Sequence, residues 1–173
     1  MVRRVMPVLP VLLALTACAP SLNWREVRPE GSAATVLLPC KPSVMVREVR
    51  LAGGPVRLLL HACSAGEQTW ALAAADIVDP GRVAPALDEL RAAAVANLGA
   101  GAATALPLTV PGATPNTSSS RVLLTGKLPD GAAVQEQVAV FTHGTWVFQA
   151  TVLGAQLPPD AVDTFFGSLR IGR

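Results

Sequence analysis

Thiol and imidazole side chains are few in this sequence: three cysteines, Cys18, Cys40 and Cys63, and two histidines, His61 and His143. A thiol can be acylated, oxidised to a disulfide, or used as a thiolate nucleophile or metal ligand. Cys18 stands apart at the end of an apolar run, which leaves Cys40 and Cys63 as an even pair. In an oxidising compartment such a pair is expected to form a structural disulfide. The loop of roughly 24 residues that it would close is worth about 3.5 kcal/mol in the chain-entropy model. A redox pair would bring its cysteines together as C-x-x-C, and a metal centre would need further ligands close by. Only His61, two residues from Cys63, is at hand. The expectation is a staple, with no metal and no cofactor.

Catalytic chemistry finds little to build on. The sequence contains no G-x-S-x-G elbow, no H-E-x-x-H and no phosphate-cradling G-x-x-x-x-G-K-[ST], so common hydrolases, zincins and nucleotide enzymes are disfavoured. His61 falls in a strand with Arg57 and Leu59 on its face, and His143 falls in a turn, where a solvated ring is the ordinary outcome. Asp76 and Asp79 flank a helix start, and Asp160 and Asp163 occupy the first turn of another, where capping and the helix dipole account for an acid. No catalytic residue is assigned.

Cys18 takes its meaning from what precedes it. Met1, Arg3 and Arg4 make a charged start, and Val5 to Ala17 is uncharged but broken by Pro7 and Pro10. A spanning helix needs about 20 apolar residues, so residues 1–17 read as an export signal. Leu15-Thr16-Ala17-Cys18 resembles a bacterial lipobox, which implies cleavage before Cys18 and lipidation of its sulfur with palmitate-type chains. Ala17-Cys18-Ala19 also fits the small-x-small pattern of ordinary cleavage, which would discard Cys18, although Pro20 suits that cut poorly. Stable anchoring takes two lipid signals, at about 0.8 kcal/mol per buried CH₂; a diacylated cysteine supplies them without help from the protein. Ala19 in place of aspartate leans towards the outer membrane over the inner one, with the domain on the periplasmic face.

Taking the 17 residues of the signal from 173 leaves 156, enough for one domain with a core. Arg3 and Arg4 carry the excess charge: without them twelve Lys and Arg balance twelve Asp and Glu. A neutral surface lacks the clustered cations that displace counterions from phosphates, so nucleic acid is not an expected partner. The expected organisation is residues 1–17 as signal, 18–33 as lipidated N-terminus and tether, and 34–173 as one domain.

Within that domain, strands are expected at 34–38, 44–51, 56–62 and 68–75, and again at 120–128, 133–141 and 145–153, separated by Gly-Gly, Pro-Asp-Gly and His-Gly turn signals. Links this short make neighbouring strands antiparallel. Asp79-Pro80 starts a helix whose Val83, Leu87, Leu90, Ala94 and Leu98 share one face, with Asp88, Glu89 and Arg91 solvated opposite and Gly99 closing it. Residues 99–120 form a long connection, functional or mobile, in which "LPLTV" is a possible edge strand. Pro158-Pro159-Asp160 opens a last helix with Val162, Phe165, Phe166 and Leu169 in its stripe. Trp24, alone beside the tether, is expected to dock on its own domain or, less often, on a partner.

This order, with "VLLPCKP", "DELRAAAVANLGA" before "LPLTVPGATP", "GKLPDGAAVQEQVAVF" before "HGTWVFQATVLG", and "VDTFFGSLRI" at the end, resembles the PsbP-like and DcrB-like lipoproteins of bacterial envelopes over residues 34–171. The resemblance implies an α+β fold, an antiparallel sheet of about seven strands flanked by helices in an α/β/α sandwich, and an accessory or scaffolding role without catalysis. It supplies no catalytic residue, and the Cys40 and Cys63 pair is not general to that class. The expectation is a lipid-anchored binding module for an envelope protein, contacted through a sheet edge, the 99–120 connection or Trp24. The alternative is a periplasmic carrier or sensor of a small apolar ligand held in an enclosed pocket lined by Trp70, Phe148 and Phe165. An enzyme would need at least a cleft joining His61 or His143 to a carboxylate and a hydroxyl.

Overall fold

Two-residue connections at 52–53, 66–67 and 144–145 fix three of the strand pairings in the computed structural model, which describes residues 22–100 and 103–172. The chain order is β1 (Arg25–Val27), β2 (Ala34–Leu38), β3 (Ser43–Leu51), β4 (Gly54–Ala65), β5 (Gln68–Asp76), a 3₁₀ turn (Pro80–Arg82), α1 (Val83–Asn97), β6 (Ala103–Leu106), β7 (Ser120–Lys127), β8 (Ala133–His143), β9 (Trp146–Gly154), α2 (Pro159–Gly167) and β10 (Arg170–Ile171). Between β3 and β4 the loop is Ala52-Gly53, with φ of 49° and 81°. Two left-handed residues make the turn whose twist suits a hairpin. Gly66 and Gly144 supply positive φ for the β4–β5 and β8–β9 turns.

The main sheet is antiparallel throughout, in the order β3-β4-β5-β9-β8-β7-β6. A second sheet, β1-β2-β10, lies over one of its faces. The fold is α+β, as expected, and the main sheet has seven strands. Its membership differs from the expectation in one respect: residues 34–38 belong to the small sheet, and Ala103–Leu106 completes the large one. A short link does not force pairing when four residues, Pro39 to Pro42, suffice to carry the chain from one layer to the next. The edge strand ends at Leu106, before "LPLTV" has run its course, because Pro107 has no N–H to donate.

Alternation along the central strands builds a core on each face. Trp70, Leu72, Ala74, Phe141, Phe148, Ala150 and Val152 meet β2 and the Ala161, Val162, Phe165 and Phe166 side of α2. Ala75, Val122, Leu124, Val138, Val140 and Val147 meet Val83, Leu87 and Ala94 of α1, with Leu98 just beyond it. The sandwich is thus broadly the expected one, with α1 as one outer layer and α2 plus the small sheet as the other. Burying each large side chain contributes about 1.5–3 kcal/mol.

Polar groups then lock the layers. Asp79 caps the 3₁₀ turn through Gly81 N at 2.8 Å, and regular α1 begins at Val83 with Pro85 in its first turn. Glu89 is not merely solvated: its carboxylate accepts from Ala52 N at 2.6 Å, while Arg82 donates to Leu51 O and Ala52 O at 2.7 and 2.9 Å. Together they clamp the β3–β4 hairpin, and the Arg82 guanidinium leaves no space for a side chain at Gly54. Arg91 likewise bonds Asp88 and Ser120. The 99–120 connection is tied down as well: Thr114 N donates to Thr142 O at 2.8 Å, Ile171 N to Pro111 O at 2.8 Å, and Leu108, Val110 and Ala113 pack on the core. Within the expected tether, Arg25–Val27 pair with β2 and Val27 is buried.

Candidate functional site

The residues singled out from the sequence divide by burial. Cys18 lies outside the described residues. Cys40 and Cys63 form the expected disulfide, with a Cα–Cα distance of 5.9 Å. Cys63 sits on β4 opposite Trp70 of β5, and Cys40 follows the end of β2. The bond therefore holds the crossing chain against β4 just before β3 begins.

The aromatic residues expected to line a ligand pocket fill the core instead. Trp70 and Phe165 are fully buried and meet edge to face at 5.4 Å, and Phe148, also buried, stacks on Phe141 at 5.0 Å. Trp24 is half-buried and presents its ring to Trp70 at 6.3 Å, so it docks on its own domain. These rings pack directly against one another, with Trp70 Nε1 buried and without a hydrogen-bond partner among the described residues. Clefts open elsewhere, as at the end of α1 around Leu98, Gly126 and Leu128 (about 600 Å³) and beside Arg57, Asp76 and Trp146 (about 310 Å³). Neither is lined by Trp24, Trp70, Phe148 or Phe165.

The two histidines are not brought together with acid and hydroxyl. His61 is buried on β4 opposite Leu72, and neither ring nitrogen has a hydrogen-bond partner. Loss of solvent pushes its pKa below 6.5, so the ring is held neutral. His143 is engaged through Nδ1 with Gly112 O at 3.1 Å. Asp76 accepts from Thr145 Oγ1 at 2.7 Å and from Val78 N at 2.9 Å, with Val78 held at φ 65°. The carboxylate and hydroxyl thus serve the turn between β5 and the 3₁₀ segment. Among the described residues no cluster of His, Cys, Asp and Glu is placed to hold a metal, and no helix is long and apolar enough to cross a membrane.

Two features escaped the sequence reading. Glu136 of β8 is buried on the α1 side beside Val134 and Val138, and burial raises its pKa to about 7. Nothing in "VQEQV" distinguishes it from the exposed acids. The second is the outer edge of the main sheet. Strand β3 is nine residues long, borders β4 on one side only, and exposes Val44, Met45 and Val46 by 57%, 37% and 48%. The opposite edge, β6, is four residues and stops at Pro107. Natural sheets blunt such edges with charge, proline or brevity; β3 carries Arg47, Glu48 and Arg50 in its second half and nothing of the kind in its first. Alternation in "SVMVREVRL" is too weak to announce which half is bare.

No protein-family model and no curated protein matches this chain.

Proposed function

We propose that this chain is a non-catalytic lipoprotein of the bacterial envelope, anchored through Cys18 to the periplasmic face of the outer membrane, where its domain serves as an accessory or scaffold module that binds a protein partner. It is a reading of the PsbP-like and DcrB-like kind. The observation that carries the binding role is the unblunted first half of β3, since an exposed sheet edge with adjacent apolar side chains is a template for strand addition by another protein. The lipobox at Leu15–Cys18 supports the anchor, and the Cys40–Cys63 bond supports passage through an oxidising compartment.

A photoreactive residue placed at Val46 of the full chain, activated in intact cells, tests this reading. The expected result is a discrete protein adduct that fractionates with the outer membrane and exceeds the background from the same group at Glu67, an exposed position in the β4–β5 turn. Equal labelling at the two positions, or recovery of the chain in the soluble periplasm, would contradict it.

A further inference from the structure

From the length of chain that can reach a membrane, we infer that the end of the domain bearing Leu22, Lys41 and the β4–β5 turn lies against the lipid surface. This orientation rests on the reading of Cys18 as a lipidated N-terminus and adds which face the domain turns to the bilayer. A tether over residues 18–33 would leave the domain free to turn in any direction, but the structure shortens it. Arg25–Val27 are paired with β2, Trp24 is seated on Trp70, Asn23 N donates to Pro39 O at 2.7 Å, and Leu22 packs on the core. Only Ala19, Pro20 and Ser21 then separate Cys18 from the folded domain. At full extension the steps from Cys18 to Leu22 span about 14 Å, so Leu22 is never farther than that from the acylated cysteine.

Strand register shows what else lies at that end. Asn23 is held at Pro39, where β2 leaves for the Cys40–Cys63 bond, and Cys63 stands near the end of β4 at Ala65. Lys41 and Glu67 are exposed there. Trp24, half-buried beside them, carries an indole, a ring enriched where apolar and wet surroundings meet. From Cys63 back to Gly54, β4 covers about 30 Å, about twice the reach of the tether. However the domain tilts, Lys41 stays near the bilayer, while the β3–β4 and β8–β9 turns at the far end are free to leave it. The bare half of β3 belongs to the near end. Val44 and Val46 lie opposite His61 and Leu59, about 7 and 13 Å along β4 from Cys63, whereas Arg50 lies opposite Pro55, about 26 Å away. The docking edge thus opens beside the bilayer, and charge blunts the half that stands clear of it.

A diazirine side chain placed at Lys41 or at Arg50 of the full chain, purified from membranes and reconstituted in phosphatidylethanolamine–phosphatidylglycerol vesicles, reads this orientation. Both positions are exposed. The expected result on illumination is an adduct of phospholipid mass, several-fold more abundant at Lys41 than at Arg50. An insert of about 20 Gly and Ser residues between Ser21 and Leu22, with a mean reach of roughly 25 Å, is expected to lower the Lys41 yield several-fold while acylation stays intact. Equal yields at the two positions of an acylated chain, or a Lys41 yield that the insert does not change, would overturn the orientation and leave the anchor standing. A chain recovered without acyl mass would overturn both. Resistance of Cys40 and Cys63 to alkylation before reduction verifies that each variant has folded.

Discussion

Glu136 shows how one buried side chain imposes a pH dependence on the whole domain. Its carboxyl has a pKa of about 7 against 4.5 for the free group, so between those values the folded chain keeps a proton that the unfolded chain has released. Stability linked to this residue is fully present below about pH 4.5 and is lost as pH rises through 7. His61 acts in the opposite sense: its pKa lies below 6.5, so the unfolded chain takes up the proton first and stability falls as pH drops below 6.5. A comparison of wild type with Glu136→Gln isolates the carboxyl, because His61 contributes equally to both. Urea melts at pH 5 and pH 8 are expected to show the variant gaining on the order of 1 kcal/mol relative to wild type at the higher pH. A difference that does not change with pH would contradict the assignment. Neither residue was legible as buried from the sequence, since burial of one polar group in a half-exposed strand depends on the layer that crosses it. The cysteine pair was legible, because parity and compartment decide it without geometry.

At the scale of elements, hydrophobic period and turn residues revealed six of the seven strands of the main sheet and both helices. They did not assign β2 to its layer. Ala34–Leu38 is as apolar as any central strand, and only its pairing with β1 and β10, three and two residues long, places it outside the main sheet. Strands so short leave no periodic trace. What joins the two layers beside β3 is the Cys40–Cys63 bond, so its loss should be felt across that boundary. Replacing both cysteines by serine is expected to cost about 2–5 kcal/mol in chemical unfolding and to open amide exchange first in β2 and the start of β3. Retention of wild-type stability would show that the packed core between the layers holds them together without the bond. The edge itself was anticipated only as "a sheet edge"; its bare half became apparent once the exposure of Val44, Met45 and Val46 was set against the short β6.

On the proposed function, the whole molecule combines a lipid anchor at Cys18, a domain stapled by Cys40–Cys63 and a docking edge at β3. Every large aromatic side chain in the expected ligand lining packs against another in the core, which shifts the weight from carrying a small molecule to presenting a surface. The proposed anchor is the premise of that function, because it would decide where the edge is displayed and against which neighbours. The most direct test is the intact mass of the chain extracted from membranes, measured without reductant and again after reduction and alkylation. The account predicts a mature chain that begins at Cys18, carries added acyl mass, and gains two alkyl groups only after reduction. An unacylated chain beginning at Pro20 would contradict it and make the protein a free resident of the periplasm.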